Sequence, residues 1–309
     1  MKRKSGQSLG LSLGVVALFL LQAGAVVHAD CRDIVEQSRG AAEELDTVVL
    51  SRLHDEAAFD DHCSHAFRRW LGKQLAIAHV SRARLQLQGQ DRAAAVSSLD
   101  KALAADRYWM ALAMMGDVEA EQRQYARASL YYQEALDEIS DREETVTPPP
   151  PEIIGKVYKK AEQSRLLAAS YVHSPSNRAG KAGGLAGLSF RGFTPKQVAI
   201  PVSFVYDSST FTAKGEEAVS ALFRELSEQG QPDITLVGHT DPIGSEAYNE
   251  QLSLQRAEAV ERYLRAASYG GRIQVEARGE REPYQLADGA DYSQEEWYQM
   301  CRRVELKRQ

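Results

Sequence analysis

Three cysteines in 309 residues are too few for a disulfide-built miniprotein. Positive charge is also in short supply, with 37 Lys and Arg against 43 Asp and Glu. The resulting formal charge of −6 argues against a general nucleic-acid binder. What is present is 43% hydrophobic and 26% charged, the proportions of ordinary globular protein. That balance excludes wholesale disorder and a polytopic membrane protein alike. A chain of this length is expected to hold about two domains, because single cores stop growing beyond roughly 250 residues.

Residues 1–29 read as an address. Lys2, Arg3 and Lys4 precede an apolar stretch from Leu9 to Val27, and small residues close it at Ala29. This is the layout of a secretory signal peptide with cleavage after Ala29. Asp30 and His28 stand where a lipobox before Cys31 would need a small and an apolar residue, so a soluble exported protein is expected. Loss of this segment removes three cations and no acids, taking the net charge from −6 to −9. Export favours a disulfide between Cys31 and Cys63, with buried thiols as the alternative, and leaves Cys301 over. The run Asp60-Asp61-His62-Cys63-Ser64-His65 has metal-site composition, but its spacing fits no standard zinc pattern, and no metal is expected there.

Residues 30–172 read as an all-α, helical-repeat domain. Between Leu75 and Ile139 a shift of 33 places Ala83 on Gly116, Ala95 on Ala128, Leu99 on Tyr132, Ala102 on Ala135 and Leu103 on Leu136. Small residues recurring at that period mark stacked helical hairpins. The stretch Gly116, Tyr125, Ala128, Tyr132, Ala135-Leu136 resembles a tetratricopeptide repeat, with a looser copy before it. A concave partner-binding surface and a plain antiparallel bundle are both open readings. Flanking helices before Leu75 and over Ile153–Ser170 would complete the stack. Pro148–Pro151 reads as a stiff spacer within this half.

Residues 173–199 carry Pro175, Gly180, Gly183, Gly184, Gly187 and Gly192 and read as a flexible linker. A phosphate-binding loop fails because Ala182 follows Lys181 where a hydroxyl belongs. Arg178, Lys181 and Arg191 are too scattered for a nucleic-acid patch and read as solvated charges.

Residues 200–309 switch to mixed periodicity. Val202, Phe204 and Tyr206 alternate with Ser203 and Val205 as in a strand. Thr212 can cap a helix that Gly230 closes, Ile234–His239 is a second strand, and Ala257, Val260 and Leu264 share a helix face. Ile273–Ala277 and Arg303–Leu306 supply two more strands. The pattern describes a two-layer α/β domain, a mixed sheet with helices on one face.

The residues Val237-Gly238-His239-Thr240-Asp241-Pro242-Ile243-Gly244-Ser245, then Tyr248-Asn249, Leu252-Ser253 and Arg256-Ala257, resemble the peptidoglycan-binding OmpA-like domain. Phe204–Ser208, Ala277–Glu280 and Arg302–Glu305 extend the resemblance from Pro201 to the end. It implies non-covalent binding of cell-wall stem peptides through diaminopimelate, in the periplasm, with an outer-membrane association left open. Asp241 and Arg256 would clamp the zwitterionic end, because a carboxylate accepts from an ammonium and a guanidinium forks onto a carboxylate. Asn249 would hydrogen-bond the ligand, and Thr240 and Asp207 would lie at the rim. Gly238 and Gly244 serve backbone geometry, and His239 supports the turn. Cys301 replaces an Asn usual in the family, which puts that rim position in question. The expected protein is a non-enzymatic anchor without cofactor, tied to peptidoglycan at one end and to an envelope protein by its helices. An assembly module without wall binding and a wall hydrolase are the alternatives. A hydrolase lacks a second cluster of ligands or a nucleophile.

Overall fold

The computed structural model describes residues 31–169, 191–195, 197–286 and 291–308. The proposed signal peptide, and most of the proposed linker with Arg178 and Lys181, lie outside the described residues. Among the described residues no helix is long and apolar enough to cross a membrane.

Among the described residues seven helices precede the first strand. The chain enters through α1 (Cys31–Glu43) and α2 (Thr47–Phe59), where Asp46 caps α2 by accepting from the N–H groups of Val48 and Val49. Cys31 and Cys63 are joined in a disulfide, their Cα atoms 5.2 Å apart. The bond fastens α1 to the start of α3 (His65–Gln88), over a core of Ile34, Leu50, Leu53 and Leu71.

Two helical hairpins follow, α3 with α4 (Arg92–Ala105), then α5 (Trp109–Glu121) with α6 (Tyr125–Ser140). The 33-residue offset reaches the backbone of their turns. Gln90 and Arg123 both take left-handed φ, +61° and +58°. The N–H of Asp91 donates to Gln86 O at 2.8 Å, and that of Gln124 to Glu119 O at 2.9 Å. The small residues of the repeat sit where the helices meet. A Cβ on Gly116 would stand 2.6 Å from the Tyr132 ring, so a bare backbone is what admits the ring; its hydroxyl donates to Asp117 at 2.7 Å. Pro148–Pro150 lead into α7 (Pro151–Ala168), with Pro151 at its first position, where a missing N–H costs nothing.

The sheet runs β1-β4-β2-β3, comprising β1 (Gln197–Ile200), β2 (Ile234–His239), β3 (Ile273–Gly279) and β4 (Val304–Arg308). β4 is antiparallel to both neighbours, and β2 and β3 are parallel. Helices α8 (Ala213–Glu228) and α9 (Glu246–Ala266) bury Val219, Leu222, Leu226, Val260 and Leu264 against Ile200, Ile234, Leu236, Val304 and Leu306. Thr212 caps α8 by accepting from Gly215 N–H. A short α10 (Gln294–Cys301) carries a capping box between Ser293 and Glu296.

Three expectations change. The alternation over Val202–Tyr206 is not a strand; Pro201 ends β1, and Phe204 makes only one antiparallel bridge, to Phe211, in a loop where both rings pack 5.3 Å apart. The sheet's first strand lies earlier and takes in 197–199, assigned above to the linker. Arg191 is no solvated charge: it donates to the carbonyls of Thr145 and Val146, while Phe193 packs on Tyr158 of α7.

Candidate functional site

The site forms where β2 leaves the sheet. Gly238 lets α9 approach, since a Cβ there would stand 1.9 Å from Ser253 O. His239 is fully buried, with Nε2 3.4 Å from the Glu305 carboxylate. Burial pushes its imidazole pKa down. Burial works against the charge on Glu305, yet His239 and Arg303 bring that carboxyl to about 2. His239 is thus a buried structural residue.

Asp241 opens the following turn. Its Oδ1 accepts from Ile243 N–H at 2.9 Å, a local bond that fixes the turn. Its Oδ2 accepts from Arg302 Nη1 at 2.8 Å. A carboxylate has about four lone-pair positions, so capacity for a ligand ammonium remains. Gly244, at φ +118°, turns the chain into α9, which Ser245 caps. Asn249 is buried, and its amide donates to Asp241 O at 3.3 Å and to the Glu280 carboxylate. That places it under the turn, as a support for Asp241. Thr240 is also buried: its N–H donates to Gly279 O at 2.9 Å, and its hydroxyl has no hydrogen-bond partner. Asp207 stands on an exposed loop at φ +56° and accepts from the Tyr248 hydroxyl.

Arg256 projects from α9 and is 4% exposed. Its Nε donates to Ser208 O at 3.1 Å, and its guanidinium lies 5.2 Å from the centre of the Phe204 ring. Its two terminal nitrogens have no hydrogen-bond partner among the described residues. Burial and the neighbouring Arg302 push its pKa down, opposed by Asp241. A guanidinium stays charged through such shifts, so the structure holds a largely buried cation whose fork opens on a cleft. Arg256 and Arg302 line a cleft of about 190 Å³ with Pro201–Phe204, Gln299, Leu166 and Ala169. This is below the usual range of about 300–1,000 Å³ for small-molecule pockets and suits one amino-acid-sized group.

The structure therefore joins Asp241 to Asn249 beneath its turn and to Arg302, which lines the Arg256 cleft, and the charges of both Asp241 and Asp207 act on Arg256, with Asp207 on the outer loop. Arg302 was noted only as part of a matching segment; its pairing with Asp241 depends on a contact across 61 positions that spacing does not reveal. Cys301 is not at the rim. It is fully buried against Leu166, Leu167 and Met300, its Sγ accepts from Tyr284 N–H at 3.5 Å, and burial pushes its thiol pKa up. Among the described residues no group of three His, Cys, Asp or Glu side chains is placed to hold a metal.

Residues 203–295 match the model described as OmpA family. This segment is an OmpA family domain. Outer membrane protein A of Shimwellia blattae is 38% identical over 85 residues, covering 26% of this chain and 35% of that protein. The peptidoglycan-associated lipoprotein of Pseudomonas aeruginosa is 36% identical over 106 residues, covering 34% of this chain and 60% of that protein. The chain thus spans about a third to three-fifths of the length of these relatives. A crystal structure of the peptidoglycan-associated lipoprotein from Burkholderia pseudomallei is 27% identical over 37% of this chain and 91% of that one, with a TM-score of 0.30. The helical half lies outside the segment matched as an OmpA domain.

Proposed function

We propose that this is a non-enzymatic envelope protein of the periplasm that holds peptidoglycan non-covalently through its OmpA domain. Diaminopimelate is the group held, and the helical half carries an envelope-protein partner. The observation that carries this reading is Arg256, a buried guanidinium whose fork opens on a cleft within electrostatic reach of the Asp241 carboxylate. Desolvating a cation is costly unless a counter-charge arrives, and a ligand carboxylate supplies one. Asp241, joined to the cleft through Arg302, accepts from the ligand ammonium. Two opposite charges held at a fixed separation favour an amino-acid end over a simple acid or amine. The similarity to a peptidoglycan-associated lipoprotein supports the same ligand class.

A second reading, an assembly module without wall binding, draws on the Asp241–Arg302 pair, which already satisfies part of the carboxylate. Sedimentation with purified sacculi separates the two. Wild type should pellet with the sacculi, and Asp241→Ala should remain in the supernatant. Wild type in the supernatant would end the anchor reading. Soluble muropeptides released during incubation would point to a hydrolase.

A further inference from the structure

One side of the Arg256 cleft does not belong to the OmpA domain. Leu166 and Ala169 come from the end of α7, whereas Arg256, Gln299 and Arg302 come from α9 and the close of α10. The end of α7 is tied down from several directions. Gln299 Nε2 donates to Leu166 O at 3.1 Å and to Leu167 O at 3.0 Å, and Lys214 Nζ donates to Ala168 O at 3.3 Å. These carbonyls belong to the last turn, where a helix has few internal donors to offer; Leu166 O also accepts from Ala169 N–H at 3.3 Å, and the other half of the molecule supplies donors to all three. One turn back, Glu162 accepts from Ala199 N–H at 3.0 Å and from the Tyr284 hydroxyl at 2.7 Å. Leu166 and Leu167 pack with Met300, Cys301 and Ala199. The helix is thus anchored to the outer strand of the sheet, and its end faces the two guanidinium groups.

We propose that α7 completes the ligand site: Asp241 and Arg256 hold the zwitterionic end of diaminopimelate, and its aliphatic arm lies against Leu166 and Ala169. The proposal rests on the wall-binding reading and adds a specificity surface supplied by the helical half. Binding and docking are then coupled, and by linkage a ligand that prefers the docked arrangement stabilises it by the same factor. The cleft is too small for a whole stem peptide, so contact with α7 is confined to the group that enters.

Ala169 permits a direct test. Its backbone is left-handed, φ +47°, a conformation that Asp and Asn tolerate better than most residues, so both replacements are expected to fold. Ala169→Asp places a carboxylate opposite Arg256 and Arg302, where it competes with the ligand; Ala169→Asn has nearly the same shape and no charge. Full-length protein is titrated calorimetrically with meso-diaminopimelate, and thermal unfolding is followed for each variant. The expected result is wild-type binding, at least tenfold weaker binding by Ala169→Asp, and a change within threefold for Ala169→Asn. Binding by Ala169→Asp within twofold of wild type overturns the role of α7 and leaves the wall-binding reading standing. So does an equal loss in both variants. Absence of binding by wild type overturns the wall-binding reading and this proposal with it.

Discussion

The two halves of the molecule reach stability by different means. In the helical half, packing positions recur. Ala95 and Ala128, Ala102 and Ala135, and Leu99 and Tyr132 are buried pairs one repeat apart, and the turns repeat with them. In the OmpA domain the decisive positions occur once: Gly238 under α9, His239 inside the sheet, Arg256 in the cleft. A repeat spreads its energy over many modest contacts between neighbours. A site concentrates it in a few residues whose geometry nothing else duplicates. Damage should therefore be graded and local in the first half, and abrupt in the second.

The largest expected effect nonetheless lies among the helices, at their covalent tie. The Cys31–Cys63 bond spans 32 positions, and its loss through Cys63→Ala should cost about 3–4 kcal/mol from loop-closure entropy. Urea unfolding checks the size. Ligand affinity should stay within twofold, because no residue of α1 or α2 lines the Arg256 cleft; a larger change would break the separation between the halves.

Paired glycine substitutions sharpen the contrast. Gly238→Ala drives a methyl into the Ser253 carbonyl, a backbone atom, and should destabilise by about 3 kcal/mol. Gly116→Ala meets only the Tyr132 ring, which can shift, so about 1 kcal/mol is expected. Equal losses in denaturant melts would show that the helical half is as unforgiving as the domain.

The same contrast decided what could be read in advance. Repetition made the hairpins legible from Ala83 through Leu136, and a dense local motif made the turn from Val237 to Arg256 legible. The contact between the halves was not. Glu162, Gln163, Ser164 and Arg165 form a consecutive polar run that a sequence assigns to solvent, yet all four are buried. Glu162 and Gln163 find partners in Tyr284 and Tyr292, more than a hundred residues on. Arg302 was missed for a similar reason: ion pairs form in space, whereas periodicity reports one element at a time. Val202–Phe204 misled because residues facing a core alternate in some loops as they do in strands.

Acid titration compares two carboxylates held low by different surroundings. Glu305 is brought to about 2 by His239 and Arg303 against the effect of burial, from an ordinary 4.5. A depressed folded pKa gives stability that is present above about 4.5 and lost as pH falls toward about 2. About 2 kcal/mol should disappear over that window, and Glu305→Gln should flatten the acid limb. Glu296, between the halves, is also brought to about 2, by Tyr125, Ser293 and Arg123 against burial. Its contribution should be smaller, since Arg123 is half-exposed and solvent screens the pair. An acid limb that moves more for Glu296→Gln than for Glu305→Gln would place the pH-sensitive contact between the halves.

Within the site, Arg256→Lys should weaken meso-diaminopimelate binding about tenfold, roughly 1.4 kcal/mol, by replacing a planar fork with a single ammonium. Calorimetry reads this directly, and equal affinity would show that Arg256 does not grip a carboxylate. Stability should change little by comparison with Gly238→Ala, which separates a residue that binds from one that shapes.

Cys301 gives the smallest expected effect and the finest test of where the site ends. It stands next to Arg302 in sequence, yet its side chain points into the core shared with α7. Cys301→Ser keeps an acceptor for Tyr284 N–H while placing a hydroxyl among apolar neighbours, so a loss of about 1 kcal/mol is expected. Affinity for meso-diaminopimelate should remain within twofold. If affinity falls while the unfolding midpoint holds, the ligand site reaches through Arg302 into that core, and the boundary between gripping residues and supporting residues lies one position earlier than the geometry places it.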